Sequence, residues 1–288
     1  MSPSLFLQAI LNGLLIGSIY GLSALGLTLV WGIMDVVNLA HGELILLGAY
    51  LNFWLFTLYG VNPLLSLLLS IPLGIIVGWI LHASLIRHVV GKSGLTTLLL
   101  TFGLSIFLNN AMLNLWLPDT RTVAWLRTSF VAGGLVLPGA RLLAFGVVLL
   151  MTAALYFFLL RTYSGKAIRA VMQDAEAAAA MGVNTGAILR LSFIIGTILA
   201  TVAGNLISLV LPFAPANALQ YAIISFVIVV VGGLGRPLGA LFGGLMVGLV
   251  ESFTGTFISQ AYTPAAVSFL LIVFLLLRPG GLFGQAAR

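Results

Sequence analysis

The few polar side chains of this chain limit the chemistry that it could perform. His41 and Glu43 lie two residues apart and offer an imidazole and a carboxylate, groups that bind metals or relay protons. Two candidate ligands without further spacing do not define a metal site. The stretch Gly91-Lys92-Ser93 has the ending of a phosphate-binding P-loop, but Ile86 stands where the first glycine belongs, and no strand is predicted before it.

The sequence also lacks the motifs of enzymes. It contains neither a G-x-S-x-G nucleophile elbow nor an H-E-x-x-H zinc helix. It has no cysteine, which excludes disulfides and thiolate metal ligands. We therefore expect no catalytic residue, no metal and no cofactor, and a membrane-embedded enzyme has no support in the sequence.

One stretch, Ser164–Asn184, is charged where its surroundings are apolar. Read as one helix, it would place Ile168, Met172, Ala175 and Ala179 on one face and turn Arg169, Gln173 and Glu176 elsewhere. Asp174 is expected to cap a short helix over 175–181, and Gly182 is expected to end it in a left-handed conformation. Such an element outside the bilayer suits docking into a groove on another protein. The alternative is an ordinary loop that its charges keep soluble.

The composition places this stretch in a membrane protein. Of the 288 residues, 61% are hydrophobic and 6% are charged, whereas about a quarter of an ordinary soluble protein is charged. The apolar runs are continuous and of helix length, and they do not alternate as the strands of a barrel do. The net charge of +6 is then a matter of loop orientation and does not indicate a nucleic-acid partner.

We predict an all-α polytopic membrane protein with eight or nine transmembrane helices, some of them broken or short. The predicted crossings are 7–29, 43–58, 64–85, 95–117, 142–160, 188–211, 221–231, 238–253 and 265–277. Because the loops between them are brief, residues 1–288 are expected to form a single transmembrane domain.

Basic residues orient this arrangement. If the charged stretch is cytoplasmic, alternation places nine basic residues inside and three outside, in line with the positive-inside rule. The inner ones are Arg87, Lys92, Arg161, Lys166, Arg169, Arg190, Arg236, Arg278 and Arg288, and the outer ones, in loop 118–141, are Arg121, Arg127 and Arg141. The N-terminus is then outside, unless a broken helix within 31–42 changes the parity.

Small residues recur every four positions on several predicted helices, and in lipid such rows let two backbones approach closely. The rows are Gly13, Gly17, Gly21; Gly74, Gly78; Gly196, Ala200, Gly204; Gly235, Gly239, Gly243; and Gly244, Gly248. We expect them to pack helices within the chain, with a subunit interface as the alternative.

Polar or glycine-rich residues interrupt the apolar pattern at two places, 31–43 and 231–239. Paired interruptions can indicate an inverted repeat around a central pathway. Isolated polar residues also fall within predicted crossings, where they are expected to pair between helices or to face a watery path. They are Asn109, Asn110, Asn114, Asn205 and Glu251.

Several motifs resemble the permease subunits of bacterial ABC importers. Glu176-Ala177-Ala178, followed by three residues and Gly182, is similar to the EAA loop of these permeases. The wider run 165–184 resembles the corresponding loop of permeases for branched-chain amino acids, and 26–50 resembles the N-terminal signature of that family.

The remaining matches lie near the C-terminus. The run V-V-G-G-L-G-R-P-L-G-A-L-F-G-G from Val230 and the ending R-P-G-G-L-F-G from Arg278 are both typical of the branched-chain family. The I-x-L-P that many importer permeases carry after the EAA glycine is missing, since Ser192 and Ile194-Ile195 stand there. The branched-chain subgroup often lacks it too.

The resemblance implies the fold of the larger, many-helix ABC importer permeases, in a bacterial inner membrane. It implies a second permease subunit, in a heterodimer, with two cytoplasmic ATP-binding subunits and a periplasmic substrate-binding protein. Residues 164–186 would be the cytoplasmic coupling segment, on which the ATP-binding subunits dock. Its motif residues would be Gly165, Lys166, Arg169, Asp174, Glu176, Ala177, Ala178 and Gly182.

The resemblance implies import of branched-chain amino acids, from the binding protein to the cytoplasm by alternating access, although the sequence by itself does not separate this substrate from others. Permeases of this shape are known for branched-chain amino acids, for urea and short amides, and for organic acids. Asn38, His41, Asn109 and Gln220 are our candidates for polar groups along the route. A stand-alone secondary transporter or channel is the alternative of a different class, and it would need a coupling-ion site or a selectivity constriction.

Overall fold

Each of the nine apolar runs forms one long helix, because a backbone in lipid must satisfy its hydrogen bonds within its own segment. The computed structural model describes residues 3–126, 128–278 and 280–283, and nine helices in that part are long and apolar enough to cross a membrane. The all-α polytopic fold is thus confirmed, with the ends of the crossings shifted by a few residues. Two of the basic residues that orient the chain, Arg127 and Arg288, and the Pro279 and Gly284 of the ending motif lie outside the described residues.

The described part of the chain contains eleven α-helices and one β-hairpin. The helices are α1 (Pro3–Met34), α2 (His41–Tyr59), α3 (Pro63–Ser84), α4 (Gly94–Trp116), α5 (Gly139–Arg161), α6 (Tyr163–Gln173), α7 (Ala175–Ala180), α8 (Thr185–Val210), α9 (Ala218–Gly232), α10 (Pro237–Phe257) and α11 (Thr263–Leu277). The strands are β1 (Ser129–Ala132) and β2 (Leu135–Pro138). The short helices α6 and α7 lie at one end of the bundle, which we call the α6–α7 end, and the hairpin lies at the other.

Close backbone contacts hold α1 in the centre of the bundle. Its glycine row packs on α10, where Gly17 and Gly248 lie against each other and a Cβ added to Gly17 would come within 2.5 Å of the carbonyl oxygen of Gly244. On another face of α1, Gly26 packs in the same way against Gly196 of α8. The small-residue rows therefore serve packing within the chain, as predicted.

The connection between α1 and α2 turns back into the bundle. The imidazole Nε2 of His41 lies 3.0 Å from the carbonyl oxygen of Ser23, which precedes the end of α1 by about three turns, or about 16 Å along the axis. Residues 35–40 therefore run back along α1, and α2 begins deep inside the molecule. The predicted interruption is confirmed, although residues 31–34 remain helical and the break is confined to 35–40.

The second interruption is a tight turn over residues 233–236 between α9 and α10. It lies at the same end as the end of α1, since a Cβ on Gly32 would come within 2.6 Å of the Cα of Gly235. An axis in the membrane plane would relate elements at opposite ends of the bundle. This pair of interruptions therefore does not support an inverted repeat, and that interpretation of it was wrong.

The loop between α4 and α5 contains a β-hairpin that the sequence analysis missed. Strands β1 and β2 pair with Ala132 opposite Leu135, and Gly133 and Gly134 both have positive φ, as a two-residue hairpin turn requires. The side chain of Gln8 extends the pairing, because it donates to the carbonyl of Val136 and accepts from the amide of Val136, both at 2.8 Å. The Gly-Gly pair between two short, mainly apolar runs was the available signal.

The α1–α10 contact gives a direct stability prediction. We expect Gly17→Ala to destabilise the protein by about 1–3 kcal/mol, the usual cost of overpacking, because its methyl group would clash with the backbone of α10. The matched control is Gly103→Ala on α4, where no atom lies within 4 Å of the added methyl group. This control should be neutral or stabilising by up to about 1 kcal/mol, since alanine favours helices. Thermal unfolding in detergent measures both changes, and equal midpoints would contradict the prediction.

Candidate functional site

The charged stretch 164–184 folds into two helices joined by Asp174. The backbone of Asp174 is extended, and its Oδ1 accepts a hydrogen bond from the amide of Ala177 at 2.9 Å, which caps α7. Gly182 has a φ of 86°, and the amides of Gly182 and Val183 bond back to the carbonyls of Ala179 and Ala178. The predicted cap and left-handed stop are both confirmed.

The predicted apolar face is right for Ile168 and Met172 of α6 and wrong in α7, because Asp174 ends α6 and changes the direction of the chain. The residues of α6 that face the bundle are Gly165, Ala167, Ile168 and Val171, with Met172 half-buried beside them. In α7 only Ala178 is buried. Ala175 and Ala179, which a single helix would have placed on the inner face, are exposed.

The outer surface of this segment is small and smooth. Of the motif residues, Lys166, Arg169, Asp174, Glu176, Ala177 and Gly182 are exposed, whereas Gly165 and Ala178 are buried. Gly165 packs against the backbone of Phe158 and Leu159, so that it positions α6 and offers no surface to a partner. Two large side chains are also exposed, Tyr163 at the start of α6 at 79% and Met181 directly after α7 at 85%. Sequence reasoning did not single them out, although large apolar residues in a water-facing stretch were a signal.

A groove of about 730 Å³ lies beside α6. Its walls come from the end of α1, from α6 and from the turn over 233–236, and its charged lining residues are Asp35, Arg169 and Arg236. The C-terminal residues return to the same end, where the amide of Leu282 donates to the carbonyl of Val231 at 2.8 Å. Four segments that alternation assigns to one side of the membrane therefore meet at one end of the bundle.

Two of the four candidate route residues are buried inside the bundle, and one of them, His41, belongs to a polar cluster. Asn38 and His41 are both nearly fully buried, at 4% and 2% exposure. The Oδ1 of Asn38 accepts from the amide of Ala40, and the ring of His41 lies against Ser23. The hydroxyl groups of Ser23 and Ser225 are 2.7 Å apart, so that the cluster joins α1, α2 and α9.

The other two candidates lie around the start of α9. Asn109 of α4 donates through Nδ2 to the carbonyl of Pro215 at 2.8 Å, and Gln220 is exposed one turn further on. The start of α2 reaches the same place, because Gly42 packs directly against the backbone of Ala218. The four residues therefore surround the point where α2 and α9 begin.

His41 and Glu43 do not converge on a common point. His41 contacts Ser23 of α1, whereas the Oε1 of Glu43 accepts from the hydroxyl of Ser105 on α4 at 2.6 Å. Glu43 is 1% exposed, and its Oε2 has no hydrogen-bond partner among the described residues. The sequence presented Glu43 only as a metal or proton-relay candidate, and its buried position beside α4 could not be read from spacing.

The remaining polar residues of the crossings serve structure. Asn205 donates to Ser66 and Ser70 at 3.2 Å each and so joins α8 to α3. Tyr20 of α1 donates to Glu251 of α10 at 3.3 Å. Asn110 and Asn114 bond to carbonyls one turn back on their own helix.

Known proteins resemble this chain over nearly its whole length. Residues 9–277 match the family described as the permease component of branched-chain amino acid transport systems. The high-affinity branched-chain amino acid transport system permease protein BraD of Pseudomonas aeruginosa is 34% identical, over 97% of this chain and 96% of the relative. The permease protein LivH of the same kind of system in Escherichia coli is 30% identical, over 97% and 96%.

A relative from an archaeon is similarly complete. The probable branched-chain amino acid transport permease protein LivH of Methanocaldococcus jannaschii is 29% identical, over 96% of this chain and 92% of the relative. No solved structure matches the chain.

The cap of α7 can be tested by itself. We expect Asp174→Ala to destabilise α7 locally by about 1 kcal/mol, the usual loss when an N-cap side chain is removed. Asp174→Asn is the matched control, because its amide oxygen can still accept from the amide of Ala177. Hydrogen exchange over residues 175–182 should be faster in the first variant and near wild type in the second. Equal exchange in the alanine variant and the wild type would contradict the assigned role.

Proposed function

This chain belongs to the family of branched-chain amino acid transport system permease components, and on that premise we propose that it is the membrane subunit of an ATP-driven importer of branched-chain amino acids. It is a multi-pass inner-membrane protein and a transport subunit. In our proposal a periplasmic binding protein delivers the amino acid, and this subunit, paired with a second permease subunit, moves it to the cytoplasm by alternating access.

The surface of α7 is the observation that carries the coupling part of this proposal. A helix of six residues held by a capping carboxylate exposes alanines on a rigid, water-facing turn. Small side chains allow close approach of a groove on a partner, and Met181, directly after α7, adds apolar contact area at its margin. We assign this surface to the cytoplasmic ATP-binding subunits, with Glu176 and Ala177 at its centre and Lys166 and Arg169 along α6.

The ATP-binding subunits would supply the energy that the chain has no means to supply. Its one P-loop-like stretch is a turn in which Ser93 caps α4, and the first glycine of the motif is absent. Closure of the ATP-binding subunits would favour one of two arrangements of the helices, and release would favour the other.

The interior of the bundle fits an amino-acid zwitterion with an apolar side chain. Such a substrate needs donors and acceptors together with apolar walls, and the cluster of Ser23, His41 and Ser225 supplies polar groups within an otherwise apolar core. We propose that the route passes this cluster and the start of α9. His41 and Gln220 lie at about this level, with Asn38 toward the α6–α7 end and Asn109 toward the hairpin end. The names of the relatives support branched-chain amino acids over other small solutes.

Docking on α7 is tested by adding a large charge to its surface. We expect Ala177→Arg to weaken co-purification of the ATP-binding subunits by about tenfold or more, equivalent to about 1.4 kcal/mol. Ala177 is exposed, so the added side chain has room and the fold should persist. The matched control is Ala261→Arg, the same change at an exposed alanine between α10 and α11, at the opposite end. Equal co-purification of both variants would place the docking surface elsewhere.

Transport itself is tested with the complete importer in proteoliposomes. We expect uptake of labelled leucine, isoleucine and valine that requires ATP, the binding protein and both permease subunits. Unlabelled branched-chain amino acids should compete, whereas urea and acetamide should not. If urea alone competed, the assigned substrate class would change to short amides. Uptake by this chain alone in an ion gradient would instead establish a secondary transporter.

A further inference from the structure

The side chain of Met172 lies where the last turn of α1 touches the turn between α9 and α10. A Cβ added to Gly32 would come within 2.7 Å of the Met172 methyl group, and one added to Gly235 within 3.3 Å. Gly32 is two residues before the end of α1, and Gly235 lies in the turn between α9 and α10. Met172 is in the last turn of α6, so one side chain connects the proposed coupling segment to the end of α1 and to the turn over 233–236.

Only glycine allows this contact between the end of α1 and the turn over 233–236. A Cβ on Gly32 would be 2.6 Å from the Cα of Gly235, closer than side-chain atoms approach a backbone. Gly235 also has a φ of 70°, a conformation that other residues adopt with strain. We call this the Gly32–Gly235 contact, and it forms the floor of the groove beside α6.

The polar cluster of the bundle lies behind the Gly32–Gly235 contact. Ser23 precedes Gly32 by nine residues on α1, about 13 Å along the helix axis. Between the two levels, Trp31 stacks on Phe226 of α9 with ring centroids 5.2 Å apart. This stacking ties α1 to α9 about two helical turns before the glycine-rich turn over 233–236.

We infer that Met172 is a positioning residue that holds the Gly32–Gly235 contact closed, and that movement of α6 releases it and opens the route to the cytoplasm. The inference rests on the proposed function, because it needs α6 to be moved by ATP-binding subunits. Met172 suits the task, since a long, flexible and apolar side chain can fill the notch between two glycines and leave it at little cost. The substrate would then pass from the polar cluster into the groove of about 730 Å³.

The test uses the assembled importer and separates coupling from assembly. We expect the Met172→Ala complex still to co-purify with the ATP-binding subunits and to hydrolyse ATP. Its uptake should fall about fivefold or more, because fivefold is the lower end of the usual range of coupling between two sites. Met172→Leu should restore uptake because it keeps the apolar volume. Met151→Ala changes a half-buried methionine on α5, away from the breaks, and should leave uptake unchanged.

Two results would overturn the inference. The first is uptake by Met172→Ala at the wild-type rate. The second is loss of both assembly and uptake in this variant, because that result would assign Met172 to docking or folding. A different result would overturn the proposed function itself: a wild-type chain that neither binds ATP-binding subunits nor needs ATP for uptake. The wild-type measurements alone decide this, without any Met172 variant.

A second measurement reads the movement directly. Because the chain contains no cysteine, a thiol reagent applied to Met172→Cys labels only position 172 of this subunit. We expect the labelling rate to differ between the nucleotide-free complex and the complex trapped with an ATP analogue. Equal rates in the two states would show that the notch does not open, and would overturn the inference.

Discussion

The structure depends on close approach between helix backbones inside a medium that gives helices no hydrophobic reason to associate. Lipid is as apolar as leucine, so contact must come from packing and from the few polar groups that find partners. Glycine allows close packing where α1 touches α8 and α10, and Asn205 supplies polar contacts between α3 and α8. These contacts fix α1 at the centre, and the two breaks and the polar cluster take their positions from it.

Much of the fold could be predicted because its signals are local. Nine apolar runs of sufficient length give the nine long helices of the part that the structure describes, since the thickness of the bilayer sets the length that each crossing needs. The cap at Asp174 and the left-handed stop at Gly182 could also be predicted, because each involves only a few adjacent residues. Each of these is decided within a few residues of the chain.

What the sequence could not supply depends on distant contacts. The faces of the coupling segment were misassigned because the extended backbone at Asp174 divides one apparent helix into two, and a periodicity measured across that point loses its meaning. The depth at which α2 begins depends on the contact between His41 and Ser23, which no spacing reveals. For the same reason Met172 looked like one apolar residue of a helix face, and its place between Gly32 and Gly235 was not predictable.

The deep start of α2 has a consequence at the other side of the molecule. Counted from the end of α1, α2 starts about 16 Å inside the bundle, and its 19 residues extend it by about 28 Å. The end of α2 therefore lies about 44 Å from the end of α1, a distance that exceeds the roughly 30 Å of hydrocarbon. The tip between α2 and α3 is therefore lifted to the level of the lipid headgroups or above it. There the largely exposed ring of Tyr59 reaches the membrane–water interface, where tyrosine is enriched. Because α2 begins deep in the bundle at the α6–α7 end, its far end can thus anchor the protein at the opposite interface.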